Sequence, residues 1–357
     1  MKVAIDSGAL TSGHKVRGIG FYTKNLIDSL GNEVVAVDFS NSNLDKYDVV
    51  HLPFFNPFFV NIPTNTKAKV IVTIHDVIPL VYPKQYPPGL RGSIRLIINK
   101  ILLQKVRAVI TDTEASKKDI VRLLNIPVSK VHTTHLAPGT EFKKINIKDT
   151  LGAKKKYNLP DKFILYVGDV NYNKNISGLI KACKEIDTPL VIVGKQALEI
   201  EGDYDLVSLR GPRDWLRFVF GVPHPQTAHF RGMVNEFKSK NIIRLGFLSE
   251  DDLVAVYNLA TVYCQPSFYE GFGLPVLQAM ACGVPVVAAR TQALVEIGEL
   301  ACLFADPKDF KNIADKLNKV IKNKSLRDDL IKAGSSLVKK YSWAKTARET
   351  LEVYKNV

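Results

Sequence analysis

No stretch of this sequence stays apolar for the ~18 residues that a bilayer-spanning helix needs. Its amino terminus, "MKVAIDSGALTSGHKV", also lacks the apolar core of a secretory leader. The expectation is a cytoplasmic protein, with at most a peripheral contact on the inner face of an anionic membrane. Cysteine is scarce: Cys183, Cys264, Cys282 and Cys302 stand far apart, with no close pair and no clustered histidine. That excludes a disulfide scaffold and a zinc finger, and predicts reduced, buried thiols. Acidic residues are the minority charge, 35 against 49 lysines and arginines, for a net charge of +14. Anionic partners are therefore favoured. No helix-turn-helix, zinc-finger or RNA-binding signature accompanies the charge, so nucleic acid is not the expected partner. Internal repeats and low-complexity tracts are missing as well.

What is present is an ordinary globular composition, 46% hydrophobic and 24% charged, over 357 residues. That length is too great for one compact core and predicts two domains. Short β-branched runs alternate with amphipathic segments, which argues for parallel sheets covered by helices, an α/β class. In the first half, strands are predicted at 3–5, 34–37, 49–52, 70–74 and 108–111, with helices at 21–30, 94–106 and 115–124. The second half repeats the alternation, with strands at 163–167, 190–193, 242–245, 261–264, 285–288 and 302–304. Its helices are predicted at 176–184, 250–259, 275–282, 310–321, 326–339 and 343–354. The lysine-rich stretch 143–156, "KKINIKDTLGAKKK", has few core residues and reads as a linker. The predicted domains are 1–150 and 151–340, with a last helix, 341–357, crossing back to the first. Residues 196–240 give no regular pattern.

One segment concentrates chemistry: "YEGFGLPVLQAMACGVPVV", residues 269–287. A strand ends just before it, Pro275 suits a first helical position, and Gly283 suits a helix stop. Amides at a helix start are unpaired and partly positive, and Gly271 and Gly273 remove side chains that would keep a ligand away. Such a loop can hold phosphate or sugar oxygens, with Glu270 beside it to accept hydrogen bonds; read as turn chemistry alone, it is equally a loop without a ligand. Gly18 and Gly20 precede another helix and permit close approach of a diphosphate. His75 and Asp76 follow the apolar run "KVIVTI", where parallel sheets bind ligands. Lys174 and Asn175 sit between a strand and a helix, where a lysine can neutralise a diphosphate or be simply solvated.

The stretch 269–289 resembles the signature of retaining glycosyltransferases of the GT-B fold, in the large group called family 4. "RGIGFYTKNLIDSL", "VTIHDVIPLVYP", "VITDTEASKKDIVRLLNIP", "YVGDVNYNKNISGLI" and "YSWAKTARETLEVYKNV" resemble further segments of that family in the same order. The resemblance implies two Rossmann-like α/β domains facing across a cleft, the first for acceptor and the second for nucleotide sugar. It implies transfer of a hexose, with mannose favoured, from a GDP- or UDP-linked donor to a glycan or lipid-linked acceptor, with retained configuration, no metal and no cofactor beyond the donor. In that scheme His75, Lys174 and Glu270 are catalytic. Gly18, Gly20, Lys174, Asn175, Gly194, Phe272, Gly273, Leu274 and Gln278 contact the donor. An epimerase or phosphorylase of the same fold, or a silent nucleotide-sugar-binding subunit, is the alternative.

Two positions depart from the family pattern. Its second acid, eight residues after Glu270, is here Gln278, which keeps a carbonyl acceptor and loses the charge. Its arginine five residues before Lys174 is here Asp169, whose charge would repel a diphosphate unless it turns away. Arg17 is a candidate for the missing positive charge. Asp203 and Asp205 form an Asp-x-Asp triplet, read as a surface loop without metal. The phenylalanines of "PFFNPFF", residues 53–59, suit core packing or an acceptor or lipid contact. Residues 91–107 carry basic side chains at 91, 95, 100, 105 and 107 on an otherwise apolar helix, compatible with an anionic membrane surface or with a buried helix.

Overall fold

A computed structural model describes residues 1–11, 18–200 and 224–357 of the chain. Arg17, Asp203 and Asp205 lie outside the described residues. The chain divides into two compact units: residues 1–83, 88–137 and 341–357 form unit 1, and residues 84–87 and 138–340 form unit 2.

Unit 1 is built on a six-stranded sheet of β1 (Val3–Asp6), β2 (Val34–Val37), β3 (Val49–Leu52), β4 (Lys69–Thr73), β5 (Ala108–Thr111) and β6 (Val131–Thr133). The spatial order is β2-β1-β3-β4-β5-β6 and every pairing is parallel. Strands β3 and β5 are buried at every residue, which is why they read as unbroken apolar runs. Strand β6, three residues long and only half-buried after Val131, gave no such signal.

Unit 2 repeats the plan with β7 (Ile164–Val167), β8 (Leu190–Val193), β9 (Ile242–Gly246), β10 (Val262–Gln265), β11 (Val286–Ala289) and β12 (Cys302–Ala305). The order is β12-β11-β10-β7-β8-β9, again all parallel. Its core gathers Ile164, Leu190 and Ile192 from the sheet with Leu179, Leu317 and Val320 from covering helices. All four cysteines are buried and free. Burial pushes each thiol up, that of Cys282 to about 12, so none is primed as a thiolate.

The lysine-rich stretch is no linker. Asn146 accepts a hydrogen bond from the Lys148 amide at 3.0 Å and caps the helix Ile147–Lys156. Thr150 and Ala153 are buried as this helix packs on the helix Glu250–Leu259, while Lys154, Lys155 and Lys156 occupy its last turn, where cations suit the helix dipole. Lys156 Nζ and the Tyr157 hydroxyl both donate to Asp252, at 2.7 and 2.8 Å. Unit 2 therefore begins at Pro138, ahead of the boundary at 150 that composition suggested. The irregular piece also contains the helix Pro225–Phe237, which buries Phe230, Met233 and Phe237 in the unit 2 core.

Residues 341–357 belong to unit 1. Their helix, Trp343–Lys355, packs on the helix Gly18–Leu30, with Trp343 edge-on to Phe21 at 5.9 Å between ring centroids. Tyr354 reaches the sheet, where its hydroxyl lies 2.6 Å from His51 Nδ1. His51 Nε2 lies 2.7 Å from Thr73 Oγ1, which is 3.0 Å from the Tyr22 hydroxyl. Burial pushes the His51 ring down to about 3, so it is neutral and passes one hydrogen bond along while taking another.

Candidate active site

Each sheet has a point where the strand order reverses, and in open parallel sheets ligands bind outside the carboxyl ends of the strands there. In unit 2 the reversal lies between β7 and β10, and in unit 1 between β1 and β3.

In unit 2 the loops leaving β7 and β10 bring Lys174 and Glu270 together across 96 residues of sequence. Lys174 Nζ donates to both carboxylate oxygens, at 2.9 Å to Oε1 and 2.7 Å to Oε2. Glu270 Oε1 also accepts from Gln265 Nε2 at 2.7 Å and Ser267 Oγ at 2.6 Å. Oε1 is thus saturated by three donors, while Oε2 holds Lys174 and keeps room for another. The Tyr263 hydroxyl fixes the other end of Gln265 by donating to its Oε1. Lys174 is 21% exposed against 7% for Glu270, so the cation is the more accessible member of the pair.

The loops themselves are tied together beneath that pair. Asn175, in the left-handed conformation at φ 54°, starts the helix Ile176–Glu185 and donates its amide to the carbonyls of Pro266 at 3.0 Å and Pro307 at 2.7 Å. Both amide hydrogens are used, so its side chain ties its own loop to those of Pro266 and Pro307. Asn173 accepts from the Tyr86 hydroxyl at 2.7 Å and donates to the Tyr269 carbonyl at 3.1 Å. Gly194 has a steric reason to be glycine: a Cβ there would stand 2.2 Å from the Gly168 carbonyl oxygen.

The helix Leu274–Ala281 starts from Gly273 at φ 109°, where a side chain would also strike Leu294 at 2.7 Å. Phe272 is buried and Leu274 half-buried. Gln278, on this helix, is 7% exposed and its Oε1 takes the Tyr257 hydroxyl at 3.2 Å. The carbonyl expected to meet a nucleotide thus already has a protein partner. Tyr257 has one proton for two acceptors, with the Pro275 carbonyl at 3.4 Å.

Asp169 follows β7, with its side chain half-buried and its backbone carbonyl accepting from the Tyr166 hydroxyl at 2.7 Å. Tyr166 is held far above its ordinary pKa by burial, then by the charges of Glu270 and Asp169.

In unit 1, His75 follows β4. Its Nδ1 lies 2.8 Å from Asp112 Oδ2 and its Nε2 3.2 Å from the Pro53 carbonyl oxygen. Both partners are acceptors, an arrangement that favours hydrogen on both ring nitrogens. Burial opposes that charge, but Asp112, then Asp76 and the Pro53 carbonyl, outweigh it and raise the ring above its ordinary value. Tyr22 meets the ring edge-on at 4.7 Å. His75, expected to contact a sugar, therefore has each nitrogen engaged within unit 1. Asp112 Oδ1 is buried with no hydrogen-bond partner among the described residues. Asp76 accepts from the Ile78 amide at 2.9 Å and shapes the turn after the strand. Gly18 and Gly20 fall inside the helix Gly18–Leu30, not in a loop ahead of it; Gly18 has open space where a Cβ would be, and Gly20 is buried.

Sequence reasoning missed Gln265, Ser267, Asn173, Tyr86 and Asp112. For Gln265, Ser267 and Asp112 the signal was a polar residue at or just past the end of an otherwise apolar strand. Among the described residues, no group of three or more His, Cys, Asp or Glu is placed to hold a metal ion.

Residues 148–337, more than half of the chain, match the family described as glycosyl transferases group 1. The chain belongs to that family. Residues 18–137 of the transferase match a second description, glycosyltransferase family 4. O-antigen chain mannosyltransferase B of Escherichia coli is 29% identical over 297 residues, covering 80% of this transferase and 70% of that protein. Serotype-specific mannosyltransferase WbdA of Escherichia coli is 26% identical over 329 residues, 89% of this transferase, which spans only 38% of that relative's length. The solved structure of Anabaena HepE in complex with UDP and glucose matches with a TM-score of 0.74 at 13% identity, over the whole of both chains. The transferase has the GT-B architecture of two parallel α/β sheets.

Proposed function

We propose that this transferase moves a hexose, with mannose favoured, from a nucleotide diphosphate sugar to a hydroxyl of a glycan or lipid-linked acceptor, with retained configuration and without a metal. Unit 2 takes the donor and unit 1 the acceptor. The observation that carries the reading is the Lys174–Glu270 pair at the reversal of the unit 2 sheet. Lys174 spends two hydrogens on Glu270 and has a third for a diphosphate oxygen, while Oε2 of Glu270 has a lone pair for a sugar hydroxyl. Support for mannose comes from two relatives, both mannosyltransferases.

In this reading the bond from the anomeric carbon to the phosphate oxygen breaks, and the acceptor oxygen bonds to that carbon on the same face. Lys174 and the amides at 272–274 stabilise charge gathering on the departing diphosphate. The acceptor proton passes to the leaving phosphate, since Glu270 is paired with Lys174 and both nitrogens of His75 are engaged by Asp112 and the Pro53 carbonyl. Gln278, with its amide turned over, donates to Tyr257, which then donates to the Pro275 carbonyl; its own carbonyl is freed for the nucleotide.

The test is calorimetry with GDP-mannose, UDP-glucose, GDP and UDP, followed by a product assay. One nucleotide sugar is expected to bind and Lys174→Ala to weaken it. Absence of binding by all four at millimolar concentration would overturn the reading, and turnover of the donor without acceptor into an epimer would replace it.

A further inference from the structure

The helix Gly89–Lys105 of unit 1 is apolar on two opposite faces. One is spent on the core: Gly92, Asn99 and Leu103 are buried and Leu96 packs among the core side chains. The other faces water with Leu90, Ile94, Ile97, Ile98 and Ile101, exposed by 62%, 51%, 61%, 40% and 57%. At 100° per residue these five share an arc of about 100°. Arg91 and Arg95 border the arc on one side and Lys100 on the other.

A second element with exposed apolar residues lies against the same helix. Asn99, buried in the helix, donates its amide to the carbonyls of Pro57 and Phe59 at 3.0 and 2.9 Å, which pins the loop after β3 against the helix. That loop buries Phe55 and leaves Phe59 and Val60 exposed by 54% and 46%. Arg95 lies over the Phe59 ring, 5.4 Å from its centroid. The phenylalanine run is therefore divided between core and surface, and its surface part meets Arg95, at the border of the isoleucine arc.

We infer that the isoleucine face of the helix Gly89–Lys105, with Phe59 and Val60, docks the transferase on the surface of an anionic membrane. Charge decides for lipid over a protein partner. Between Asp76 and Asp112 the sequence has no acidic residue and six basic ones, Lys84, Arg91, Arg95, Lys100, Lys105 and Arg107. An apolar arc of aliphatic side chains edged by cations matches acyl chains beneath anionic headgroups, each basic residue adding attraction near the surface. No helix among the described residues is long and apolar enough to cross a membrane, so the contact lies in the interface plane. The surface shares no residue with the Lys174–Glu270 site, and the inference does not depend on the donor reading.

The experiment is flotation of the full chain with phosphatidylcholine vesicles, with and without one third phosphatidylglycerol, at low and high salt. Binding is expected with the anionic vesicles alone and should fall as salt rises. Ile97→Gln with Ile101→Gln should lower the bound fraction about ten-fold, by removing the acyl contact of two side chains. Arg91→Glu with Arg95→Glu should lower it at low salt. All four side chains face solvent, so an unchanged melting temperature and unchanged nucleotide binding keep the variants interpretable. Equal flotation of wild type and both double variants would overturn the inference. So would a dimer in light scattering that the isoleucine variant dissolves while vesicle binding persists.

Discussion

The two sheets are built alike, yet the carboxyl ends of their central strands hold different pairs, Lys174 with Glu270 in one and His75 with Asp112 in the other. Unit 2 presents a fixed ion pair, Lys174 with Glu270, braced by the neutral donors Gln265 and Ser267 and open on its lysine side. Unit 1 presents a titratable ring, His75, whose charged form is favoured by two acceptors, Asp112 and the Pro53 carbonyl. The first can add a ligand's negative charge without giving up a proton. The second responds to pH before it responds to a ligand. A shared fold thus leaves the chemistry to loop residues, a few per strand end.

Breaking the unit 2 pair should have the largest effect. Glu270→Ala strands Lys174, Gln265 and Ser267 without their common acceptor and, in the proposed reading, removes the sugar contact. Transfer should fall by ~10³-fold or more in kcat, with stability lower by about 1–3 kcal/mol for each buried donor left unmet. Transfer at the wild-type rate would show that the donor site lies elsewhere. Lys174→Ala comes next: an expected loss of ~10²-fold in kcat, together with weaker binding of the nucleoside diphosphate in calorimetry.

Unit 1 supplies the intermediate effects. His75 titrates above its ordinary value in the folded chain, so its contribution to stability is full below the unfolded value of about 6.5 and is lost as pH rises through the folded value. His51 has the opposite sign. Its neutral form is favoured by the fold down to about 3, so that contribution is present above about pH 6.5 and drains away as pH falls toward 3. Asp112→Asn should bring the His75 titration, followed by its ring proton resonances, below the ordinary value because burial is then opposed more weakly. It should also remove the loss of melting temperature on the alkaline side. Melting curves that keep one shape from acid to alkaline pH would count against the imidazolium.

The smallest effects test the two departures in unit 2. Gln278→Glu should tighten donor binding by about ten-fold or less, the scale of exchanging a neutral acceptor for a charged one. Asp169→Asn should tighten diphosphate binding a few-fold by removing a like charge from the loop after β7. Weaker binding by this second variant would mean that the Asp169 carboxylate holds a ligand hydroxyl or the loop.

The sequence exposed the fold where burial wrote a pattern. Strands covered on both faces are runs of Val and Ile, and amphipathic helices such as Phe310–Lys322 repeat at helical spacing. It was silent where small residues did the packing: Thr150 and Ala153 bury the helix Ile147–Lys156 without an apolar stripe, so lysines dominated the reading. At the site, Lys174 and Glu270 were each visible as strand-end residues, but not their pairing across 96 positions. The partners of Gln278 and His75 were out of reach for the same reason. A hydroxyl from another helix and a backbone carbonyl from another loop leave no mark near the residue they engage.

The hydrogen bond between Tyr354 and His51 carries a consequence for the order of synthesis. Unit 1 supplies its first 137 residues early, yet the helix that covers Phe21 and meets His51 emerges only after the whole of unit 2 has been made. Until that helix is made, His51 lacks its Tyr354 partner and Phe21 lacks its Trp343 cover. Unit 1 is closed by a segment made about two hundred residues later.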